Sequence, residues 1–117
     1  MSFSACVHFD VYRVEAVETL YFGTAKADGS VVADAEWQRF VTTVIAPRLE
    51  GFTTWDAEGL YRTSAGVVER ERTHIVQIVH RDGQHERDIA EIIAAYKKTF
   101  AQESVLRLRG RAGVAFQ

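Results

Sequence analysis

Two stretches of the chain repeat apolar residues at the spacing of an amphipathic helix. Asp34 suits the start of the first helix, because its carboxylate can accept hydrogen bonds from the free amides of the first turn. Pro47 lacks an amide hydrogen, so the helix is predicted to end at about Ala46. The second helix covers residues 86–101 and follows a turn signal at residues 82–83. The apolar positions are Trp37, Phe40, Val41, Val44 and Ile45 in the first helix and Ile89, Ile92, Ile93, Tyr96 and Phe100 in the second.

Four other stretches are rich in β-branched and aromatic residues, a composition typical of strands. The predicted order is strand, helix, strand, strand, helix, strand. This order predicts an α+β domain with the ferredoxin-like split βαββαβ fold, in which an antiparallel four-stranded sheet carries both helices on one face. The first and third strands are the most apolar and are expected at the centre of the sheet. The predicted strands cover residues 19–23, 52–56 with a resumption at 60–62, 67–80, and 105–109 with a continuation at 114–116, and a turn is predicted at 64–66.

The alternation of side chains along the strands assigns them to the two faces of the sheet. The residues predicted to face the helices are Leu20, Phe22, Leu106 and Leu108, and those predicted to face away are Tyr21, Val105, Arg107 and Arg109. The third strand is apolar in both alternating sets, with Val76 and Ile78 on one side and Ile75 and Val79 on the other. A face open to water would be more polar, so we expect this second face to be covered. A second subunit is the preferred cover, which predicts a homodimer, and the alternative cover is the N-terminal segment of residues 3–17.

The length and composition predict one soluble domain. The 117 residues form a single domain, with a core at 17–116 and an N-terminal extension at 1–16 that is a candidate for an extra strand. The net charge of −2 argues against nucleic-acid binding, which depends on neutralising phosphates. No stretch approaches the ~20 apolar residues of a membrane span, and the N-terminus does not resemble a secretory signal. We therefore expect a cytoplasmic protein without membrane partners.

Seven short motifs occur in a fixed order along the chain and resemble one bacterial family. They are Leu20-Tyr21-Phe22-Gly23, Glu36-Trp37, Ala46-Pro47-Arg48, Asp56-Ala57-Glu58-Gly59, Arg70-Glu71-Arg72, Ala95-Tyr96-Lys97 and Gln102-Glu103-Ser104-Val105-Leu106-Arg107. The resemblance is to the family of domains of unknown function numbered thirty-five seventy-four, and it spans about residues 17–116. It implies no activity, cofactor or site residue.

Metal, cofactor and nucleophile signals are sparse. His74 and His80 lie at opposite ends of one predicted strand, about 20 Å apart at ~3.3 Å per residue, so they cannot share an ion. No glycine-rich phosphate loop is present, and no cofactor or metal is expected. Cys6 and Ser104 have no histidine base that the sequence identifies. His74 is the candidate for acid–base catalysis, because imidazole changes charge near neutral pH, and whether the domain is an enzyme stays open.

A group of polar and aromatic side chains is predicted near the helix ends and the hairpin. Arginine presents a planar fork that suits a carboxylate or phosphate, whether it belongs to a ligand or to a neighbouring glutamate. The group could therefore consist of intramolecular ion pairs that fix the helix ends and the hairpin. The candidate binding residues are Tyr21, Arg48, Trp55, Tyr61, Arg62, Glu71, Glu103 and Arg107, with His74 as the catalytic candidate.

These residues lead to two hypotheses about function. The first is a domain that binds an anionic or aromatic small molecule at the open sheet face or the dimer interface. The second is a non-catalytic interaction domain whose open sheet face is a subunit interface. A solvent-connected cavity lined by Tyr21, His74 and either Arg107 or Arg62 would favour the first, and a dry, fully packed interface would favour the second.

Overall fold

The computed structural model describes residues 11–117. Cys6 and most of the expected N-terminal extension, including the candidate extra strand, lie outside the described residues. The elements are β1 (Arg13–Gly23), α1 (Asp34–Phe40), β2 (Thr53–Arg62), β3 (Val68–His80), α2 (Glu86–Thr99) and β4 (Leu106–Val114).

The four strands form one antiparallel sheet in the order β2–β3–β1–β4. The first and third strands are therefore central, and the predicted α+β split βαββαβ architecture is confirmed. Both helices pack on one face of this sheet. Among residues 11–117, neither helix is long and apolar enough to cross a membrane.

Three strands are longer than the sequence predicts, and one of them, β4, is unbroken from Leu106 to Val114. β1 begins at Arg13 instead of residue 19, so the last residues of the expected extension continue the first strand. Charged residues such as Glu15 and Glu18 interrupt the apolar pattern there and hide the strand. β2 runs without a break from Thr53 to Arg62, because residues 57–59 keep their pairing with β3.

The first helix begins at Asp34, as predicted, but Asp34 is its first helical residue and not its N-cap. Ala33 occupies the cap, and its amide donates to the Glu36 carboxylate at 3.0 Å. The helix continues as a π-helical turn (Val41–Ile45) and then as a 3-10 turn (Ala46–Arg48), so the helical segment ends at Arg48 instead of Ala46. Pro47 is accommodated because it lies at the start of that last turn, where an amide hydrogen is not required.

The core lies between the helices and one face of the sheet. Aromatic rings dominate it: Phe22 packs against Trp37 and Tyr96 with centroid separations of 5.3 and 4.7 Å. The Tyr96 hydroxyl donates to the Gly23 carbonyl at 2.6 Å, and burial raises the pKa of this phenol. Trp37 is buried, as its place on the apolar stripe of the first helix predicts. The remaining buried core residues include Leu20, Phe40, Ile45, Val76, Ile78, Ile89, Ile92 and Phe100.

The face assigned to β4 from the sequence is wrong. Tyr21 lies opposite Leu106, and Thr19 lies opposite Leu108, so both leucines share the face of Tyr21, away from the helices. Arg107 and Arg109 consequently point to the helical side. The alternation within β4 was interpreted correctly, but which set faces the core depends on the pairing register with β1, which a one-residue shift reverses.

A buried carboxylate explains why the arginines of β4 belong on the helical side. Glu18 of β1 is 0% exposed and accepts hydrogen bonds from Arg107 and, at 2.6 Å, from His80 Nε2. Burial opposes its ionisation, but the hydrogen bonds from Arg107 and His80 outweigh this effect and hold the pKa of Glu18 below its usual value. Arg109 and Arg107 also pair with Glu86 at the start of α2. Arg107 and Arg109 thus pair with a carboxylate of the central strand β1 and with the start of α2.

The hairpin of β2 and β3 projects beyond the rest of the sheet. Gly23, the last residue of β1, lies opposite Thr73, so residues 58–62 and 68–72 pair only with each other. We call this two-stranded part the ribbon. It turns at residues 63–67, where Gly66 adopts a φ of 83°, which confirms the predicted turn.

Candidate ligand-binding pocket

A cavity of about 360 Å³ lies where the ribbon leaves the sheet. It is open to solvent and is bounded by the end of β1, the ribbon, the loop after β1 and the loop before β4. Its volume falls in the range of small-molecule sites. The side chains and backbone that line it belong to Tyr21, Gly23, Ala25, Ala27, Tyr61, Glu71, Ala101, Gln102, Glu103, Ser104 and Leu106.

Glu71 is the carboxylate that the structure holds most firmly in this pocket. Its Oε2 accepts a hydrogen bond of 2.8 Å from the Ala25 amide. Its Oε1 lies against Gly23, where an added Cβ would come within 2.7 Å of that oxygen. Gly23 is therefore required for the close approach of the carboxylate to the backbone of β1. The orientation of Glu71 is set before any ligand binds.

Tyr61 forms the wall of the pocket that belongs to the ribbon. Its ring folds back over Gly59, where an added Cβ would lie 2.9 Å from the tyrosine hydroxyl. The same position is close to the Thr73 hydroxyl, which is buried and has no hydrogen-bond partner in the part of the chain that the structure describes. Tyr21 lies on the central strand β1, so two aromatic side chains from different strands line one cavity.

The floor of the pocket depends on how α2 ends. Ala101 adopts a left-handed φ of 52°, and the Gln102 amide donates to the Lys97 carbonyl at 3.0 Å, as in a Schellman motif. The Gln102 side chain then donates to the Ala25 carbonyl at 2.9 Å. This bond ties the loop before β4 to the loop after β1. The turn places Glu103 on the wall of the cavity, so two carboxylates line it.

Four of the eight predicted binding residues, Tyr21, Tyr61, Glu71 and Glu103, are thus brought together. Arg48 is not among them: its guanidinium donates to the Val44 carbonyl at 2.9 Å and pairs with Glu91 at 3.4 Å, on the helical side. Arg62 donates to the Gly66 carbonyl at 3.1 Å inside the hairpin turn. These two contacts match the ion-pair and hairpin-fixing interpretation more closely than a ligand site.

Arg107 and Trp55 also lie outside the pocket. Arg107 points to the opposite face of the sheet, toward Glu18, and Glu18 raises its pKa through their hydrogen bond. Trp55 lies on the same face of the sheet as Tyr21. It belongs to β2, however, and β3 lies between β2 and β1, with Ile75 opposite both residues. Consequently no arginine lines this cavity among the residues that the structure describes.

His74 lies in the helical layer and does not line the pocket. Its ring is 2% exposed, and its Nδ1 is 2.6 Å from Asp56 Oδ1. Hydrogen bonds to Arg72 and His74 hold the pKa of Asp56 below its usual value. The Nε2 atom of His74 is buried and has no hydrogen-bond partner among residues 11–117. This geometry orients the imidazole but gives it no path to a ligand in the cavity.

A metal site is not formed by the described part of the chain. Within residues 11–117, no three histidine, cysteine, aspartate or glutamate side chains are grouped closely enough to hold an ion. Glu71 and Glu103 are thus the acidic groups available to a ligand of the pocket.

A comparison with known protein families identifies the family of this chain. Residues 17–116 match the model of the family described as "Protein of unknown function (DUF3574)". The chain belongs to this family. The match spans the same residues as the resemblance carried by the seven motifs. It covers the whole sheet except the first residues of β1. A search of curated proteins finds no match.

Two solved structures share the fold of this family member. A phage SAM lyase in complex with S-methyl-5′-thioadenosine aligns with a TM-score of 0.60 and 14% sequence identity, over 88% of this chain and 85% of that chain. A phage SAM lyase in the apo state aligns with a TM-score of 0.61 and 19% identity, over 89% of this chain and 86% of that chain. At these identities the similarity shows a common fold.

Several residues of the pocket carry little signal in the sequence. Gly23 and Gln102 occur within the family motifs without an evident binding role, and nothing in the sequence distinguishes Ala25. Gly23 allows the Glu71 carboxylate to approach the backbone closely. The Gln102 side-chain amide donates a hydrogen bond to the Ala25 carbonyl, and the Ala25 backbone amide donates one to Glu71. Only the glycine that closes an apolar strand carried a signal that could have been used.

Proposed function

We propose that this domain binds a small ligand with an aromatic ring in the cavity between the ribbon and the loop before β4. The observation that carries the proposal is that two tyrosines and two carboxylates line one solvent-connected cavity of ligand size. Tyr21 and Tyr61 offer aromatic surface, and Glu71 and Glu103 offer acceptors for N–H or O–H donors or for a positive charge.

The charged residues that line the pocket restrict the charge of the expected ligand. The sequence alone allowed an anionic or an aromatic ligand, and the anionic choice depended on Arg48, Arg62 and Arg107. All three are engaged elsewhere, and the pocket is lined by carboxylates. A negative ligand would be repelled by Glu71 and Glu103, so we propose a neutral or positively charged aromatic compound.

S-methyl-5′-thioadenosine is the first probe to use. It is the molecule bound to the phage SAM lyase that shares this fold, and it is uncharged, with an aromatic base and several donors. These properties fit a cavity lined by tyrosine rings and carboxylate acceptors. The probe also allows a matched negative control, because adenosine 5′-monophosphate has the same base and adds negative charge.

Isothermal titration calorimetry with the full chain tests the proposal. We expect saturable binding of S-methyl-5′-thioadenosine and at least tenfold weaker binding of adenosine 5′-monophosphate, a difference of about 1.4 kcal/mol. Glu71→Gln should weaken the binding, and Glu50→Gln, which changes an exposed carboxylate away from the pocket, should leave it unchanged. Equal binding by both substituted proteins, or tighter binding of the phosphate, would contradict the proposed pocket.

A further inference from the structure

The hydroxyl of Thr73 is buried beside the pocket and has no hydrogen-bond partner among residues 11–117. Thr73 lies on the central strand β3 and is 3% exposed. Thr24 is buried to a similar extent, but its hydroxyl donates to the Arg72 carbonyl at 2.6 Å. A buried hydroxyl without a partner loses its hydrogen bonds to water and gains none in return, which destabilises the folded chain. The Thr73 hydroxyl is therefore available to a group that enters from the pocket.

We propose that the Thr73 hydroxyl is a specificity-determining group of the pocket and forms a hydrogen bond with a polar edge of the bound ligand. This inference rests on the ligand-binding pocket proposed above and adds a contact that the ligand-free cavity does not expose. Three features of the sheet support it: the two glycines beside Thr73, the movable cover over its hydroxyl, and the fixed carboxylate next to it.

Two glycines leave room above Thr73. Gly23 of β1 is paired directly with Thr73, and the Cβ position of Gly59 lies 3.1 Å from the Thr73 hydroxyl oxygen. Because glycine has no side chain, neither position carries an atom that covers the hydroxyl. The side chains of Tyr61 and Glu71, which line the pocket, fill this space instead. The strand register puts Thr73, Glu71 and Tyr61 on one face of the sheet, so the hydroxyl lies beneath the wall of the pocket.

The cover over Thr73 can move. Tyr61 belongs to the ribbon and is 51% exposed, and exposed side chains change rotamer on a time scale of nanoseconds or less. The Tyr61 hydroxyl lies 2.9 Å from the Cβ position of Gly59, the same position that the Thr73 hydroxyl approaches. A polar ligand atom that takes the place of the tyrosine hydroxyl over Gly59 would therefore reach Thr73 directly.

The fixed carboxylate of Glu71 defines which ligand edge fits. Its Oε1 lies 2.7 Å from the Cβ position of Gly23, the residue opposite Thr73, so the carboxylate reaches the row of the sheet that holds the hydroxyl. An ionised carboxylate only accepts hydrogen bonds, whereas a threonine hydroxyl can also donate one. The matching ligand edge has an N–H donor beside an acceptor nitrogen. Amino-substituted nitrogen heterocycles carry this pair, and S-methyl-5′-thioadenosine is one of them.

Isothermal titration calorimetry of full-length variants with S-methyl-5′-thioadenosine tests the contact. Thr73→Val keeps the shape of the side chain and removes the hydroxyl, so it should weaken binding roughly tenfold by leaving a polar ligand atom unpaired. Thr73→Ser keeps the hydroxyl and should bind the probe within about threefold of the wild type. Thr19→Val is the matched control and should bind like the wild type, because Thr19 lies on the same face of the sheet but does not line the pocket.

The melting temperature of the ligand-free protein separates a ligand contact from a structural bond. Thr73→Val should melt at or above the wild-type temperature, because it removes an unpaired hydroxyl. Thr24→Val removes a bonded hydroxyl at an equally buried position and should melt lower. If Thr73→Val melts as low as Thr24→Val, the Thr73 hydroxyl is bonded within the protein and the proposal is overturned.

The binding results also distinguish this contact from the pocket itself. A wild-type protein that does not bind the probe would overturn the proposed pocket, and the Thr73 contact with it. Equal binding by the wild type and Thr73→Val would overturn the Thr73 contact alone. The ligand edge is tested with 5′-deoxy-5′-methylthioinosine, which has an oxygen in place of the amine. At least tenfold weaker binding of this compound to the wild type would support the match to Glu71 and Thr73, and equal binding would overturn it.

Discussion

The imidazole of His74 lies flat against the indole of Trp37, with ring centroids 4.4 Å apart and ring planes 7° from parallel. One edge of the imidazole is hydrogen-bonded to Asp56, and the Nε2 atom on the other edge is buried with no partner within the described residues. The ring is therefore held as a core side chain between β3 and α1. This packing role explains the presence of His74, which the sequence analysis proposes as a catalytic candidate.

This stacking predicts an unequal effect of two substitutions at residue 74. His74→Ala should lower the free energy of unfolding by about 2–4 kcal/mol, because it leaves a cavity under Trp37. His74→Phe should lower it by about 1–2 kcal/mol, because a ring of similar shape fills the space but the hydrogen bond to Asp56 is lost. Urea denaturation measures both values. A phenylalanine variant as unstable as the alanine variant would indicate that the bond to Asp56, and not the stacking on Trp37, stabilises this position.

The buried carboxylate of Glu18 predicts a loss of stability in acid. Its pKa is lowered in the folded protein, so the folded state binds this proton more weakly than the unfolded chain does. The stabilisation is fully present above the unfolded-state pKa of about 4.3 and is lost as the pH falls through the folded-state pKa. Asp56 contributes in the same direction.

Glu18→Gln measures this contribution. At neutral pH we expect it to lower the free energy of unfolding by about 3–5 kcal/mol, because Arg107 and His80 lose a charged partner. The stability of the variant should also fall less steeply in acid. Glu86→Gln, which changes the exposed carboxylate paired with the same Arg107, is the matched control and should cost less than about 1 kcal/mol. Parallel acid limbs for the wild type and Glu18→Gln would contradict the assignment.

The contact between Gly23 and Glu71 predicts a local steric effect. Gly23→Ala places a methyl group 2.7 Å from Glu71 Oε1, so the carboxylate has to move. Because it is the end of a flexible side chain, the free energy of unfolding should fall by less than about 1 kcal/mol, but the binding of S-methyl-5′-thioadenosine should weaken as Glu71 loses its hydrogen bond to the Ala25 amide. Gly110→Ala is the control, because an added Cβ at this strand position meets no atom within 4 Å. Isothermal titration calorimetry compares the two proteins, and equal probe binding by both would contradict a role for the Glu71 orientation in the pocket.

The contacts of Arg48 predict a modest structural role. Arg48→Ala should lower the free energy of unfolding by about 1 kcal/mol, because it removes a hydrogen bond to the Val44 carbonyl and a partly exposed ion pair with Glu91. It should leave ligand binding unchanged, because Arg48 does not line the pocket. Arg39→Ala on the exposed side of α1 is the control for helix propensity. A loss of probe binding with unchanged melting temperature would instead assign Arg48 to a ligand.

The sequence predicted the elements of this fold well because their signals are local. Helical spacing identified both helices, and the turn at residues 63–67 contains the glycine that its left-handed conformation needs. The face of Leu106 and Leu108 was predicted wrongly because it depends on which residue of β1 lies opposite them. That register is decided by long-range packing, including the burial of Glu18 between strands.

Only the pocket residues whose positions depend on local signals could be predicted from the sequence. Glu71 and Tyr61 follow from the hairpin, whose pairing is nearly local, and Glu103 follows from the end of a recognisable helix. Arg107 and His74 do not line this cavity, because the strand register, which local signals do not decide, puts both on the helical side of the sheet. The Ala25 amide and Gly23 contribute through backbone geometry, which no side-chain pattern records.

The ribbon constrains how related chains can differ in length. Because residues 58–62 and 68–72 pair only with each other, the hairpin could be lengthened or shortened without changing the four-stranded sheet. A change of one residue in a strand between the sheet and Tyr61 would turn that ring to the opposite side, away from the cavity. Changes of two residues in each strand would preserve its direction. Length variation within the family should therefore occur in even steps on both strands of the ribbon wherever the tyrosine wall is kept.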